Sequence, residues 1–205
     1  MKYDKVANIS SINKAKGALE KRGFEVFVLK NKTEALLKIK DIIPKGASVN
    51  NGSSTTLTEI GFIDYLKSNK HSWNNLHALV VEEKDSNKQA ELRKHAMFAD
   101  YYLGSVHSLA ETGEIVIASA SGSQLVPIVY GSRNLIFVVG AQKITKSYED
   151  AMNRLRNHVV ALEDIRMKNV GMGGTTLSKI LTIENEPVFM GRSVKIIIVQ
   201  EKLGF

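Results

Sequence analysis

The stretch richest in usable chemistry is Ser48-Val49-Asn50-Asn51-Gly52-Ser53-Ser54-Thr55-Thr56-Leu57-Thr58-Glu59-Ile60. A short apolar run passes into a loop of Asn, Gly, Ser and Thr, and the loop opens a helix. In open α/β sheets, ligands bind beyond the carboxyl ends of strands. A helix start offers free backbone N–H groups and the positive end of the helix dipole. Small residues let an anion approach that backbone, and hydroxyls add donors. Gly52, Ser53, Ser54, Thr55 and Thr56 are therefore candidate anion-binding residues. The same stretch has a reading that needs no ligand: Thr56 and Glu59 fit a capping box. That accounts for two residues and leaves the Asn-Gly-Ser-Ser run unexplained.

A second stretch echoes the first. Gly173-Gly174-Thr175-Thr176-Leu177-Ser178-Lys179-Ile180 parallels Ser53 to Ile60 position by position. The glycine-rich turn of residues 171–174 precedes what reads as a helix. Gly173, Gly174 and Thr175 could supply a second wall of an anion site; the plainer reading is a turn that needs positive φ. The third stretch is Ser105 to Glu114, between two strand-like runs. Glu111 is the candidate nucleophile or general base. His107 is the candidate proton carrier or donor to an oxyanion. A surface carboxylate and a hydrogen-bonded structural histidine are the competing readings. Ser119 to Gln124 follows a strand and either lines a pocket or simply turns the chain. The five histidines, His71, His77, His95, His107 and His158, form no His-x-x-x-His pair, so no metal site is expected.

These residues need elements to hold them. Val6, Ile9, Ile12 and Leu19 give an N-terminal helix within residues 1–22, closed by Gly23. Val26 to Leu29 reads as a strand. Thr33 to Ile43 reads as a helix capped by Thr33 and ended by Pro44. Ala47 to Val49 is a short strand, followed by a helix around Leu57 to Lys67. Ala78 to Val81 is an apolar patch, and Asp85 to Ala99 an amphipathic helix with Phe98 on its apolar face. Tyr101 to Leu103 is a strand. Ile115 to Ala118 and Leu135 to Val139 are near-continuous β-branched runs, which suit strands buried on both faces of a parallel sheet. Tyr148 to Ile165 is a long helix and Val194 to Val199 a closing strand. Helices alternate with short apolar strands, so the class is α/β. With no break in composition, residues 1–205 are expected to form one domain.

Composition excludes more than it assigns. The 205 residues contain no cysteine, which removes disulfides, thiolate metal sites, cysteine-held iron–sulfur clusters and a cysteine nucleophile from this chain. The formal charge of +7 favours anionic partners. The basic residues are scattered and aromatics are only 7%, which argues against a nucleic-acid footprint. The polar, mixed-charge start predicts no leader, and the most apolar run, Leu135 to Ala141, is too short for a membrane helix. A cytoplasmic protein is expected.

Taken in order, several pieces resemble one family. They are Asn-Gly-Ser-Ser-Thr-Thr-Leu-Thr-Glu-Ile-Gly at 51–61, Phe98-Ala99-Asp100-Tyr101-Tyr102, Ala110-Glu111-Thr112-Gly113-Glu114-Ile115 and Tyr130-Gly131. Val138-Val139-Gly140-Ala141-Gln142-Lys143-Ile144, the Glu149-Asp150-Ala151 helix start and the ending Ile197 to Phe205 complete the set. From about Leu36 to Phe205 the chain resembles the LUD (lactate-utilisation) domain family, formerly DUF162. The resemblance implies a fold like that of the sugar-phosphate isomerase, glucosamine-phosphate deaminase and CoA-transferase superfamily. Its members hold ligand with a Gly/Ser/Thr loop after a strand. Its CoA-transferase branch uses a glutamate in a Glu-x-Gly setting, which Glu111-Thr112-Gly113 resembles. The chain departs from many relatives in having no cysteine between residues 167 and 187, and in carrying His107 where relatives often have Asn or Ala.

The resemblance implies an accessory or substrate-binding component of lactate oxidation to pyruvate, working with iron–sulfur partner proteins. It would bind a small anionic metabolite and need no cofactor of its own, and a homodimer is allowed. Two alternatives stay open. One is a stand-alone enzyme on a small anionic metabolite, sugar phosphate or CoA thioester, with Glu111 as base or nucleophile. The other is a nucleic-acid-binding or regulatory protein.

Overall fold

The computed structural model describes residues 2–68 and 70–205. A 3-10 turn (Lys2–Asp4) leads into α1 (Ile9–Lys21), β1 (Glu25–Leu29), α2 (Lys32–Ile42), β2 (Ser48–Asn51), α3 (Thr55–Glu59) and α4 (Phe62–Lys67). Next come β3 (Asn74–Asn75), α5 (Leu76–Glu82), α6 (Ser86–Ala96), β4 (Tyr101–Gly104), β5 (Ser108–Ala110), β6 (Ile115–Ser119), β7 (Asn134–Gly140) and β8 (Ile144–Thr145). The chain closes with α7 (Tyr148–Arg154), α8 (Val160–Asn169), β9 (Lys179–Ile183) and β10 (Ser193–Val199).

Six strands form a parallel sheet in the order β1-β10-β7-β4-β2-β3. Four form a second sheet of mixed direction, β8-β5-β6-β9. The α/β class expected from the alternation of elements is the class observed. Successive side chains on a strand face opposite ways, and the central strands use both faces. Leu135, Phe137 and Val139 of β7, with Ile196 and Ile198 of β10, pack on one side against Ile12, Ala15 and Leu19 of α1. Ile136, Val138, Ile197 and Val199 face the other way, against Ala35 and Ile39 of α2, Leu57 of α3 and Phe62 of α4. No polar position interrupts either run because neither strand has a wet face.

The Ile115–Ala118 run is equally apolar but lies in the second sheet, antiparallel to β5 and β9. Ile115 and Ile117 join the core beneath the large sheet, whereas Val116 and Ala118 pack on Ala151, Leu155 and Val159 of the long helix. Burial on both faces is common to the two sheets; strand direction leaves no trace in such a run. The long helix is α7 and α8 joined by a π-helical turn, Leu155–Val159.

Other expectations need correction. The helix expected around Leu57 to Lys67 is two short helices, because Gly61 between them adopts φ +78° and starts a new axis. Asn31, not Thr33, caps α2, its side chain accepting from the Glu34 N–H. Phe98 lies past the end of α6 and is exposed. Residues 175–180 do not form a helix: Thr175 to Ser178 are irregular and Lys179–Ile183 is a strand pairing with β6. The echo between the two Thr-Thr-Leu stretches is thus not structural. Ser54 supplies a capping oxygen to its helix, while Gly174 at the matching position has no side chain to offer. Among the described residues no helix is long and apolar enough to cross a membrane.

Candidate functional site

A cavity of about 600 Å³ opens at the carboxyl ends of β2 and β4. Its walls are the 52–56 loop, the turn Gly104–His107, the 118–124 loop, Lys143, the inner side of the long helix, residues 175–177 and Phe205.

The 52–56 loop leaves β2 through Asn51, whose amide donates to the Gly52 carbonyl. A Cβ on residue 52 would lie 2.5 Å from the Tyr102 hydroxyl, so only glycine passes. The Ser54 side chain caps α3 by accepting from the Leu57 N–H at 3.2 Å. Ser54 therefore takes the role that the sequence pattern gave to Thr56, and Glu59 accepts instead from the Gly204 N–H at 2.7 Å. Thr56 is 1% exposed, and its hydroxyl donates to the Leu203 carbonyl while accepting from Lys143 Nζ at 3.0 Å.

Lys143 sits just past β7 and is 2% exposed. Its Nζ donates to Thr56 Oγ1 and to Ser105 Oγ, each at 3.0 Å. The Ser105 hydroxyl in turn donates to the Val138 carbonyl at 2.7 Å. Among the described residues no carboxylate forms an ion pair with Lys143. Burial, helped by repulsion from Arg154 and opposed by Glu59, brings its pKa down to about 7. At neutral pH the residue is divided between ammonium and free amine.

His107 is half-buried in the cavity wall. Its Nδ1 accepts from the Ala118 N–H at 3.0 Å, which fixes the proton on Nε2. Burial, with Lys143 and Arg154 nearby, drops its pKa to about 3, so it is a neutral N–H donor rather than a base. Arg154 is fully buried and donates from Nη1 to the His107 carbonyl, pinning the turn. Its Nε and Nη2 are buried without a partner among the described residues. Burial lowers its pKa to about 10, which leaves it charged at neutral pH.

The structure thus brings Gly52, Ser53, Ser54, Thr55, Thr56, His107 and Thr175 to one cavity. Gly173 and Gly174 are not among its lining residues; they turn the chain with φ +73° and +110° and deliver Thr175, whose N–H donates to Asp164. Glu111 is also outside. Its carboxylate binds Lys146 Nζ at 2.5 Å and lies 3.6 Å from Lys14. Burial pushes the Glu111 pKa up, but hydrogen bonds from Lys146 and Ser11 and the two lysine charges outweigh it and leave the value lowered.

Lys143, Ser105 and Arg154 are site residues that the sequence reading did not single out. One signal was present: Lys143 follows the apolar run of β7 by a few residues, at the carboxyl edge where open α/β sheets bind ligands.

The sequence model of the LUD domain matches residues 12–199. No curated protein matches the chain. Among solved structures, a DUF162 family protein from Deinococcus radiodurans is similar, with a TM-score of 0.57 and 9% identity over 95% of this chain and 99% of that one. At so low an identity the likeness is one of fold.

Proposed function

This chain belongs to the LUD domain family, which ties it at family level to lactate utilisation, and from that premise we propose that its cavity binds a short carboxylate, lactate or its oxidation product pyruvate. The observation that carries this reading is Lys143: a buried lysine at the cavity wall with hydroxyl partners and no carboxylate to neutralise it. A buried ammonium is costly unless paired, so this position favours an incoming anion. The neutral His107 Nε2–H supplies a donor that does not compete for protons. The hydroxyls of Ser53, Ser119 and Thr175 line the same space. Apolar side chains such as Leu155, Val159 and Phe205 give the rest of the wall and suit a small organic anion over a free inorganic one.

Oxidising lactate to pyruvate releases two electrons and two protons. With no cysteine in its 205 residues, the chain lacks the usual ligands for an iron–sulfur cluster. In this reading it is a substrate-binding or accessory component in the cytoplasm, and iron–sulfur partner proteins accept the electrons. Calorimetric titration tests the binding step. L-lactate or pyruvate should release or absorb heat with a saturable one-site curve, and Lys143→Met should abolish it. Binding that persists unchanged in a folded Lys143→Met variant would overturn the assignment.

A further inference from the structure

The hydrogen bonding around Lys143 constrains the form its nitrogen takes. The Ser105 hydroxyl gives its proton to the Val138 carbonyl and the Thr56 hydroxyl gives its proton to the Leu203 carbonyl. Both oxygens therefore meet Nζ as acceptors. A neutral amine has two N–H donors and one lone pair. The two hydroxyls satisfy both donors, and the lone pair takes the remaining tetrahedral direction. An ammonium in the same place has a third N–H for which the described residues supply no partner. The side chain is buried, yet it belongs to the cavity wall. An amine that is desolvated, held by two neutral acceptors and next to a ligand cavity is equipped to attack a carbonyl.

We infer that Lys143 forms an imine with a 2-oxo acid in this cavity. The inference rests on the reading that the cavity takes a short carboxylate, and it adds a covalent step that a 2-hydroxy acid cannot undergo. The Nζ lone pair adds to the carbonyl carbon, the C=O π pair moves to oxygen, and that oxygen takes up a proton while Nζ gives one up. The resulting carbinolamine loses water as the nitrogen pair forms C=N. The sum is free amine plus 2-oxo acid plus one proton, giving protonated imine plus water. No oxidant or reductant is involved. His107 Nε2–H is a donor for an oxygen of the bound acid, and Arg154 acts through the His107 carbonyl to hold that turn. The pKa of about 7 at Lys143 keeps a large fraction of free amine at neutral pH, in accord with the geometry.

Reductive trapping tests this in the intact protein. The chain is incubated with pyruvate and sodium borohydride, then measured by intact mass and by peptide mapping. The expected result is one added reduced pyruvate on the peptide carrying Lys143, with none after incubation with L-lactate. Lys143→Arg keeps a cation but has no nucleophilic amine, so it should lose the adduct while still binding pyruvate by calorimetry. If wild type binds pyruvate but shows no adduct at Lys143, the imine is refuted and the carboxylate site stands. Labelling that falls equally on exposed lysines such as Lys45 and Lys84 refutes it too. If wild type neither binds nor traps pyruvate, the carboxylate reading fails and the imine with it.

Discussion

Raising the pH from about 6 to about 9 should weaken L-lactate binding, and the midpoint of the loss reports Lys143. In the free protein its pKa is about 7. A carboxylate at about 4 Å from the ammonium gains roughly 1 kcal/mol at the dielectric of water and roughly 4 kcal/mol at an effective value of about 20. At about 1.4 kcal/mol per pKa unit, the bound lysine titrates roughly 0.7 to 3 units higher than the free one. The sign follows. The complex holds a proton that the free site releases above about pH 7, so affinity is greatest below that pH. It falls by up to about tenfold per pH unit above it and levels off once the bound group also titrates. The total loss lies between about fivefold and about a thousandfold. The other charged groups near Nζ keep their state across this range. Arg154 stays cationic, His107 stays neutral, and Glu59 stays anionic as an ordinary carboxylate does. Calorimetry with L-lactate, which cannot form an imine, reads the profile directly. Lys143→Arg should bind with almost no pH dependence. A flat wild-type profile, or the same fall in Lys143→Arg, would refute the reasoning.

Three further outcomes are expected. Gly52→Ala drives a methyl to within 2.5 Å of the Tyr102 hydroxyl, which should cost about 1–3 kcal/mol by urea unfolding. Tyr102→Phe removes that oxygen and should recover part of the loss in the double variant. The lowered pKa of His107, about 3 when folded against an ordinary 6.5, means that the unfolded chain takes up the proton first. Stability should therefore fall as pH drops from about 6.5 toward 3, by up to about 1.4 kcal/mol per unit. His107→Asn should show a shallower acid limb; identical slopes would count against a neutral buried His107. Glu111→Gln should leave lactate affinity unchanged, because Glu111 lies outside the cavity, and should cost at most about 1 kcal/mol because its partner Lys146 is largely exposed. A tenfold loss of affinity would instead bring Glu111 into the site.

The elements best read from sequence were those whose burial is written into every residue. β7 and β10 have no wet face, so their runs are unbroken. The 52–56 loop was legible because Gly, Ser and Thr at a strand's carboxyl end satisfy a local demand: Gly52 for close approach to Tyr102, Ser54 for a cap. Three features were not legible, each for a physical reason. β9 shares Thr-Thr-Leu with α3, and only the pairing of Ile180 with Ala118 decides its form. Lys143 belongs to a residue type usually found in solvent, and it becomes unusual only when Leu203 and Gly204 fold back over it, a contact spanning more than half a hundred positions. Glu111 drew notice through a local Glu-x-Gly pattern, but its surroundings are set by Lys14 and Lys146, distant in sequence and invisible to a motif.

The π-helical turn at Leu155–Val159 has a consequence for how this fold tolerates insertions and deletions. Its wider winding absorbs one residue more than an α-helical turn, so the sequence before and after it is phased as two separate helical frames. Substitutions at 156 or 157, both exposed, leave those frames intact. Removing any single residue from the turn would let it close into regular α-helix and turn everything beyond by about 100° with a shift of about 1.5 Å. Glu163, Arg166 and Met167 would swing off the cavity together. Length in this turn should therefore be held more strictly than residue identity.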